Sequence, residues 1–139
     1  MRNYIFILSV FTFLSCQQDS GALTTVYSLP KKLKEVSGIT YLTSSNLLWS
    51  LEDSGNANEI YGLNFVNGKI EKTITIENTE NIDWEDITKD KDGNLYIGDF
   101  GNNDNERKDL SIYKIDKNSL ATESAIPAYK VSFAYPEQK

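Results

Sequence analysis

The chain has 139 residues, with 14 Lys and Arg against 20 Asp and Glu, which gives a formal net charge of −6 at neutral pH. This acidic balance repels the phosphate backbone of nucleic acids, so no nucleic-acid partner is expected. The sequence contains no histidine and a single cysteine. A Ser-His-Asp triad, a histidine metal site and an internal disulfide are therefore excluded. Any catalysis would depend on carboxylates, amides, hydroxyls, Lys and Arg.

The N-terminal residues predict targeting and attachment rather than folded structure. The apolar run from Tyr4 to Leu14 is too short to span a membrane as a helix. A small residue followed by Cys16 resembles the cleavage site of bacterial lipoproteins. This resemblance implies a signal peptide over 1–15, lipid on Cys16 and a tether over 16–22, so that the protein is held on a membrane of the bacterial cell envelope, on a periplasmic or outer-membrane face. The alternative is an ordinary secretory signal with an incidental cysteine.

From residue 23 to residue 139, short strand signals recur without a helical period. β-branched and aromatic residues predict a strand over 23–29, which Pro30 ends. The dipeptides Asn67-Gly68 and Asp92-Gly93 predict hairpin turns. The fold class is therefore predicted to be all-β. The other predicted strands cover 39–42, 47–51, 60–66, 69–76, 95–97, 110–115 and 129–135.

Two segments of the chain repeat one pattern about 48 residues apart. A period of this length, built of short strands, is typical of a β-propeller. We expect the N-terminal blades of a propeller, about two repeats with a flanking strand on each side. Because propellers close with about four to eight blades, we expect a truncated chain whose partner is the remaining blades of the same protein, or else a ring assembled from several chains. The matching blocks are 35–40 with 83–88, 53–56 with 99–102, and 60–64 with 112–116.

Acidic and amide residues occupy corresponding points of both repeats, just before one strand and just after the next. Equivalent positions of successive blades meet at one end of a propeller's channel, so these groups are expected to converge. Carboxylates brought together raise each other's pKa, and a hard divalent cation relieves the repulsion through oxygen ligands. The available residues favour Ca²⁺ or Mg²⁺. The alternative is that these common turn residues only cap strands. The residues are Glu35, Glu52, Asp53, Asn56, Asp83, Glu85, Asp86, Asp99, Asn102 and Asn103.

Two motifs resemble a largely uncharacterised family of bacterial envelope β-propellers. They are Asp-Trp-Glu-Asp at 83–86 and Gly-Asp-Phe-Gly-Asn-Asn at 98–103. The family is distantly similar to the gluconolactonase and strictosidine-synthase-like six-bladed propellers, and the resemblance spans about 36–135. It implies a metal or ligand site at one channel end, with Glu35, Asp83 and Asp99 as the metal ligands.

The function predicted from these residues is a lipid-anchored propeller that binds a divalent cation and a small polar ligand such as a lactone, sugar derivative or phosphoester. Metal-assisted hydrolysis would use Glu85 or Asp86 as the general base. The alternative function is a non-catalytic surface-binding or scaffold propeller with structural acidic turns. The alternative role of Trp84 is packing in the core, and the alternative role of Arg107 is a solvated charge on a loop. The predicted ligand-binding residues are Asp53, Asn56, Trp84, Asn102, Asn103 and Arg107.

Overall fold

The computed structural model describes residues 23–136, and within this range it contains two β-sheets and one short 3-10 helix, Lys117–Ala121. The prediction of an all-β fold is confirmed. The strands are β1 Val36–Leu42, β2 Leu47–Glu52, β3 Glu59–Asn64, β4 Ile70–Ile76, β5 Trp84–Lys89, β6 Leu95–Asp99, β7 Leu110–Ile115, β8 Ser124–Ala125 and β9 Tyr129–Phe133.

The two sheets have the same construction. Sheet 1 has the order β1-β2-β3-β4-β8, and sheet 2 has the order β5-β6-β7-β9. In each sheet, four strands pair antiparallel in chain order, and β8 joins sheet 1 by pairing parallel to β4. Each of the two sequence repeats therefore folds into one four-stranded antiparallel unit.

The register of the strands confirms two of the three matching blocks and shifts the third. Both first strands carry an irregularity at the same place, which sets Val36 opposite Glu52 and Trp84 opposite Asp99. Asp99 is thus the structural equivalent of Glu52, although the sequence pattern aligned it with Asp53. The shift arises because the first repeat has one residue more after the strand: Gly55 is three positions after Glu52, whereas Gly101 is two positions after Asp99.

The predicted strand over 23–29 is wrong: these residues have no strand conformation. The segment pairs with no sheet edge and instead crosses the β3–β4 hairpin, where the ring of Tyr27 lies against Gly68. Gly68 has a φ of +69°, and a Cβ at this position would lie 2.3 Å from Tyr27 Cδ2. Further along, Leu33 is buried against Tyr61 and Leu63 on the outer face of sheet 1.

The main hydrophobic core lies between the two sheets. Trp49 and Ile74 of sheet 1 pack there with Trp84 and Ile97 of sheet 2, and all four side chains are fully buried. Each such burial contributes roughly 1.5–3 kcal/mol. Trp49 is therefore a core residue, and the two repeats form one packed body rather than two separate ones.

The sheets approach each other most closely where β1 meets β5. A Cβ on Gly38 would lie 2.7 Å from Ile87 N and 2.9 Å from Asp86 Cα, closer than atoms of these types pack. Beside this contact, Ser37 Oγ donates a hydrogen bond to the carbonyl oxygen of Trp84, at 2.7 Å. Glycine at position 38 is thus required by packing of backbone on backbone.

We expect Gly38→Ala to lower the free energy of unfolding by about 2 kcal/mol or more, because the added methyl group meets backbone atoms that cannot move independently. Gly62→Ala is the matched control: its Cβ would lie 2.8 Å from Leu47 Cδ1, which is the end of a flexible side chain. Urea denaturation followed by circular dichroism measures both. Equal losses in the two variants would contradict the close sheet contact.

Candidate functional site

The acidic residues predicted to converge do lie at one end of the two sheets, which we call the acidic end. Because successive strands alternate in direction, the loop 53–58, the connection 77–83 and the loop 100–109 all lie at this end. They follow β2, β4 and β6 respectively. Residues that are far apart in the chain therefore share one surface.

Three carboxylates form a cluster at the acidic end. Asp53, Asp83 and Glu85 each offer an oxygen, and these oxygens lie within 4.8 Å of one another. All three side chains are half-buried. Asp53 follows a strand of sheet 1, whereas Asp83 and Glu85 lie at the start of sheet 2. The cluster therefore exists only because the two sheets pack together.

Gly101 provides the space that the cluster occupies. A Cβ at this position would lie 2.2 Å from Asp83 Oδ2 and 2.5 Å from Glu85 Oε1. The Gly101 N–H donates to the carbonyl oxygen of Asp83 at 3.1 Å, which fixes the backbone beneath the carboxylates. Any side chain here would displace at least one of the two carboxylates.

Asn81 joins the backbones of the two repeats below the cluster. Its Nδ2 donates to the carbonyl oxygens of Glu52 and Asp53, both at 2.9 Å, and its Oδ1 accepts from the Trp84 N–H at 3.1 Å. Its side chain is buried, so these bonds are shielded from water. Asn81 thereby holds the end of β2 beside the start of β5.

The cluster carries negative charge that its neighbours compensate only in part. Burial raises the pKa of Asp83, as do a hydrogen bond and charge repulsion from Asp53, while Arg107 and a hydrogen bond from Ser54 act in the opposite direction. Burial also raises the pKa of Glu85, and repulsion from Asp53 and Asp83 adds to it. An arrangement of this kind favours either protonation or a bound cation.

A buried ion pair lies beside the cluster. Asp99 is fully buried, and its Oδ1 lies 3.0 Å from Arg107 Nη1 and accepts from the Asp83 N–H at 3.1 Å. Arg107 also donates to the carbonyl oxygen of Gly101, at 2.9 Å, and to Asp109 Oδ1, at 3.2 Å. Among residues 23–136, Asp99 Oδ2 and Arg107 Nη2 are buried and have no hydrogen-bond partner. Such groups normally have a partner, so both atoms retain unused capacity to bind one.

The three residues predicted as metal ligands do not meet as a group within residues 23–136. Asp83 belongs to the carboxylate cluster. Asp99 is engaged with Arg107. Glu35 is exposed, and its Oε2 accepts a hydrogen bond from Asn56 Nδ2 at 2.9 Å. The cluster takes its other two members from residues predicted for different roles, Asp53 for ligand binding and Glu85 for catalysis.

The second predicted general base lies apart from the cluster. Asp86 is exposed, its Oδ1 accepts the N–H of Ile87 at 2.8 Å, and it lines a separate small cavity on the free face of sheet 2 with Tyr96 and Phe100. Of the two predicted bases, only Glu85 is therefore in position to act at the cluster.

The remaining predicted residues have mixed placements. Trp84 is fully buried in the core, which matches its core alternative, and its Nε1 has no hydrogen-bond partner. Asn102 closes its own loop, because its Oδ1 accepts the Arg107 N–H at 2.9 Å. Asn103 is exposed. Cys16 lies outside the described residues.

Sequence reasoning missed Asn81 and Gly101. Asn81 has no counterpart in the first repeat, where Leu33 occupies the corresponding position about 48 residues earlier, so the repeat pattern could not reveal it. Gly101 belongs to the repeated block 99–102, but a glycine between Asp and Asn residues in a loop is typical of a turn. Its closeness to two carboxylates follows only from the packing of the sheets.

No family model, curated protein or solved structure matches this chain. Among residues 23–136, no helix has the length and apolar character needed to cross a membrane.

We expect Asp83→Asn to stabilise the cation-free protein at neutral pH. Because the pKa values of Asp83 and Glu85 are raised above 3.8 and 4.5, the folded state binds protons more tightly than the unfolded state. Their contribution to stability is therefore present at low pH and is lost as pH rises through the raised values. Asp83→Asn removes one repelling charge and should flatten this decline.

Urea unfolding in the presence of a chelator measures the free energy of unfolding of the parent and the variant. The pH series runs from about 4, near the reference pKa of a carboxyl group, to about 8. Asp104→Asn changes the same charge at an exposed loop position and serves as the control. If the parent were more stable than Asp83→Asn, and if this difference in the free energy of unfolding grew toward neutral pH, repulsion within the cluster would be contradicted.

Proposed function

We propose that this protein binds a divalent cation, Ca²⁺ or Mg²⁺, at Asp53, Asp83 and Glu85, and through that cation a small polar ligand. The observation that carries the proposal is the convergence of three half-buried carboxylates from two sheets within 4.8 Å. The raised pKa values of Asp83 and Glu85 mean that a positive charge at this point would relieve repulsion.

The chemistry of the donors favours a hard cation. The cluster offers oxygen atoms alone, and the chain contains no histidine. A buried oxygen without a partner, Asp99 Oδ2, belongs to the residue that accepts the Asp83 N–H, and it is a second, independent sign of an incomplete polar site. Ca²⁺ takes six to eight oxygen ligands, so three carboxylates would leave positions for water and for a ligand.

The architecture that suits this site is a β-propeller, and the two sheets would be its successive blades. Both are four-stranded antiparallel units, and the strand registers make Tyr96, Ile112 and Val131 of sheet 2 the equivalents of Trp49, Ile60 and Ile74 of sheet 1. In sheet 1 that face is covered by sheet 2, whereas in sheet 2 no further sheet formed by residues 23–136 covers it. The remaining blades of the same protein would cover it.

The bound cation would orient the ligand and polarise a carbonyl or phosphoryl oxygen, which is what hydrolysis of a lactone, sugar derivative or phosphoester requires. Glu85 is the general base in this scheme, since Asp86 lies apart from the cluster. Arg107 Nη2, which has no partner, would receive an anionic group of the ligand. The protein would act on the cell envelope, held by lipid on Cys16.

The alternative function is a non-catalytic scaffold or surface-binding module, and one set of contacts favours it. Asn56 bonds Glu35, Asn81 bonds the backbone of both repeats, and Arg107 neutralises Asp99. In this alternative, the acidic turns serve to join the sheets, and the cluster binds no ligand.

We expect Ca²⁺ to raise the unfolding temperature of the parent protein and to have little effect on Asp83→Asn. A cation that binds only the folded state at 100 times its dissociation constant adds about 2.7 kcal/mol. For a domain of this size that corresponds to a rise of roughly 10 °C. Differential scanning calorimetry with Ca²⁺, Mg²⁺ or a chelator measures the rise, and Asp104→Asn is the charge-matched control. An equal response of the parent and Asp83→Asn would exclude the site.

Gly101→Ala provides a variant that leaves every charge in place. The added Cβ would occupy the space of the Asp83 and Glu85 carboxylates, so we expect the Ca²⁺-dependent rise to disappear. Turnover of a panel of lactones and phosphoesters then separates the two functions. Ca²⁺ binding with turnover that Glu85→Gln abolishes, while the Ca²⁺-dependent rise of that variant persists, supports the hydrolase with Glu85 as its base. Ca²⁺ binding without turnover on the whole panel supports the binding module.

A further inference from the structure

A group of exposed apolar side chains lies at the end of sheet 1 opposite the acidic end. We call this group the apolar corner, and it consists of Val26, Phe65 and Val66. Their exposed fractions are 78%, 51% and 75%. Val26, Phe65 and Val66, together with Tyr27, line an open hollow of about 330 Å³ in which nearly all of the lining is apolar. Apolar side chains grouped in this way on a surface mark a site of contact.

The N-terminal segment is held onto this corner by specific packing. Tyr27 lies flat against Gly68 in the β3–β4 hairpin, where no other residue would leave room for its ring. Leu33, a little further on, is buried against Tyr61 and Leu63. The chain that arrives from Cys16 therefore enters the folded part across the β3–β4 hairpin and not elsewhere.

The position of the predicted anchor limits which surface can face a membrane. Val26 is ten positions after Cys16, and even a fully extended chain of that length spans at most about 35 Å. The corner is the part of the described structure that this length of chain reaches first. A lipid on Cys16 would therefore bring the residues from 23 onward, and the β3–β4 hairpin that Tyr27 contacts, close to the bilayer.

The strand directions place the corner and the carboxylate cluster at opposite ends of the sheets. β3 begins after the loop that contains Asp53 and ends at the turn that contains Phe65 and Val66. A strand of 6 residues spans about 20 Å, at roughly 3.3 Å per residue. A molecule that rests on the corner would therefore hold the cluster away from the surface.

We propose that the apolar corner rests in the interfacial region of a lipid bilayer and orients the acidic end toward the aqueous phase. The inference rests on the proposed attachment through Cys16. Phe65 and Val66 lie at a hairpin tip, and the exposed Lys69 is three residues after Val66. This arrangement suits a boundary at which apolar side chains enter lipid and an ammonium group meets phosphate. The corner contributes orientation, and the acyl chains contribute the attachment.

The test uses the full chain with its cysteine coupled to a maleimide phospholipid in phosphatidylcholine vesicles. Cys16 is the single cysteine of the chain, so coupling occurs at the predicted anchor whether or not a cell acylates it. Phe65→Trp introduces a fluorophore at the corner, and Trp49 and Trp84 are fully buried and give a constant background. We expect the emission of the new Trp to shift to the blue on coupling and to be quenched when the vesicles contain brominated lipid.

Ile126→Trp is the matched control, because Ile126 is also an exposed apolar residue, at 58%, but lies outside the corner. Its emission should change neither in wavelength nor in intensity. No shift and no quenching at position 65, or equal quenching at 65 and 126, would overturn the proposal. The mass of the peptide containing Cys16, taken from cell membranes, tests the natural lipidation separately, and the Ca²⁺ measurements test the cluster, so each proposal can fail alone.

Discussion

Direct contact between the backbones of β1 and β5 is the constraint on which the rest of the molecule depends. Gly38 has no Cβ, and the peptide of Ile87 lies in the space that a Cβ would fill. This contact sets how far the end of sheet 1 lies from the start of sheet 2, and Asn81 then locks the two together. Asp53 faces Asp83 and Glu85 as a result, so the site is a product of sheet packing and not of one local motif.

Two opposing contributions to the free energy of folding act on the acidic end, namely charge repulsion and core packing. Repulsion among three carboxylates favours separation of the sheets, while the core between them favours contact through fully buried side chains such as Trp49, Trp84 and Ile97. Each of these contributes roughly 1.5–3 kcal/mol, so the core outweighs the repulsion. The positive charge of Arg107 is directed mainly at Asp99 and only weakly offsets the cluster. The fold thus maintains a concentration of negative charge that would otherwise disperse, which is the state that a cation-binding site requires before its ion arrives.

Much of the fold could be predicted from the sequence, because strand alternation, turn dipeptides and a repeat of about 48 residues are local signals. The convergence of acidic residues at one end could also be predicted, since it follows from strand direction. The membership of the cluster could not. Asp53 and Asp99 match in sequence, but the first repeat has one residue more between the end of its second strand and its glycine. Asp99 is therefore the equivalent of Glu52 and is buried beside Arg107, whereas Asp53 faces the second sheet. A motif that starts at Asp53 and at Asp99 cannot show this difference, because the match leaves out Glu52.

The residues at positions 38 and 86 make the two repeats unequal members of a series. Gly38 and Asp86 are structural equivalents. Gly38 leaves room for the backbone of the neighbouring sheet, whereas Asp86 has a carboxylate that accepts the N–H of Ile87. No strand can lie on sheet 2 as closely as β5 lies on β1. The repeats could not be exchanged or copied in tandem without loss of stability, so any duplication that produced them was followed by changes specific to each position. A protein built this way has a defined order of units, and its symmetry is approximate by necessity.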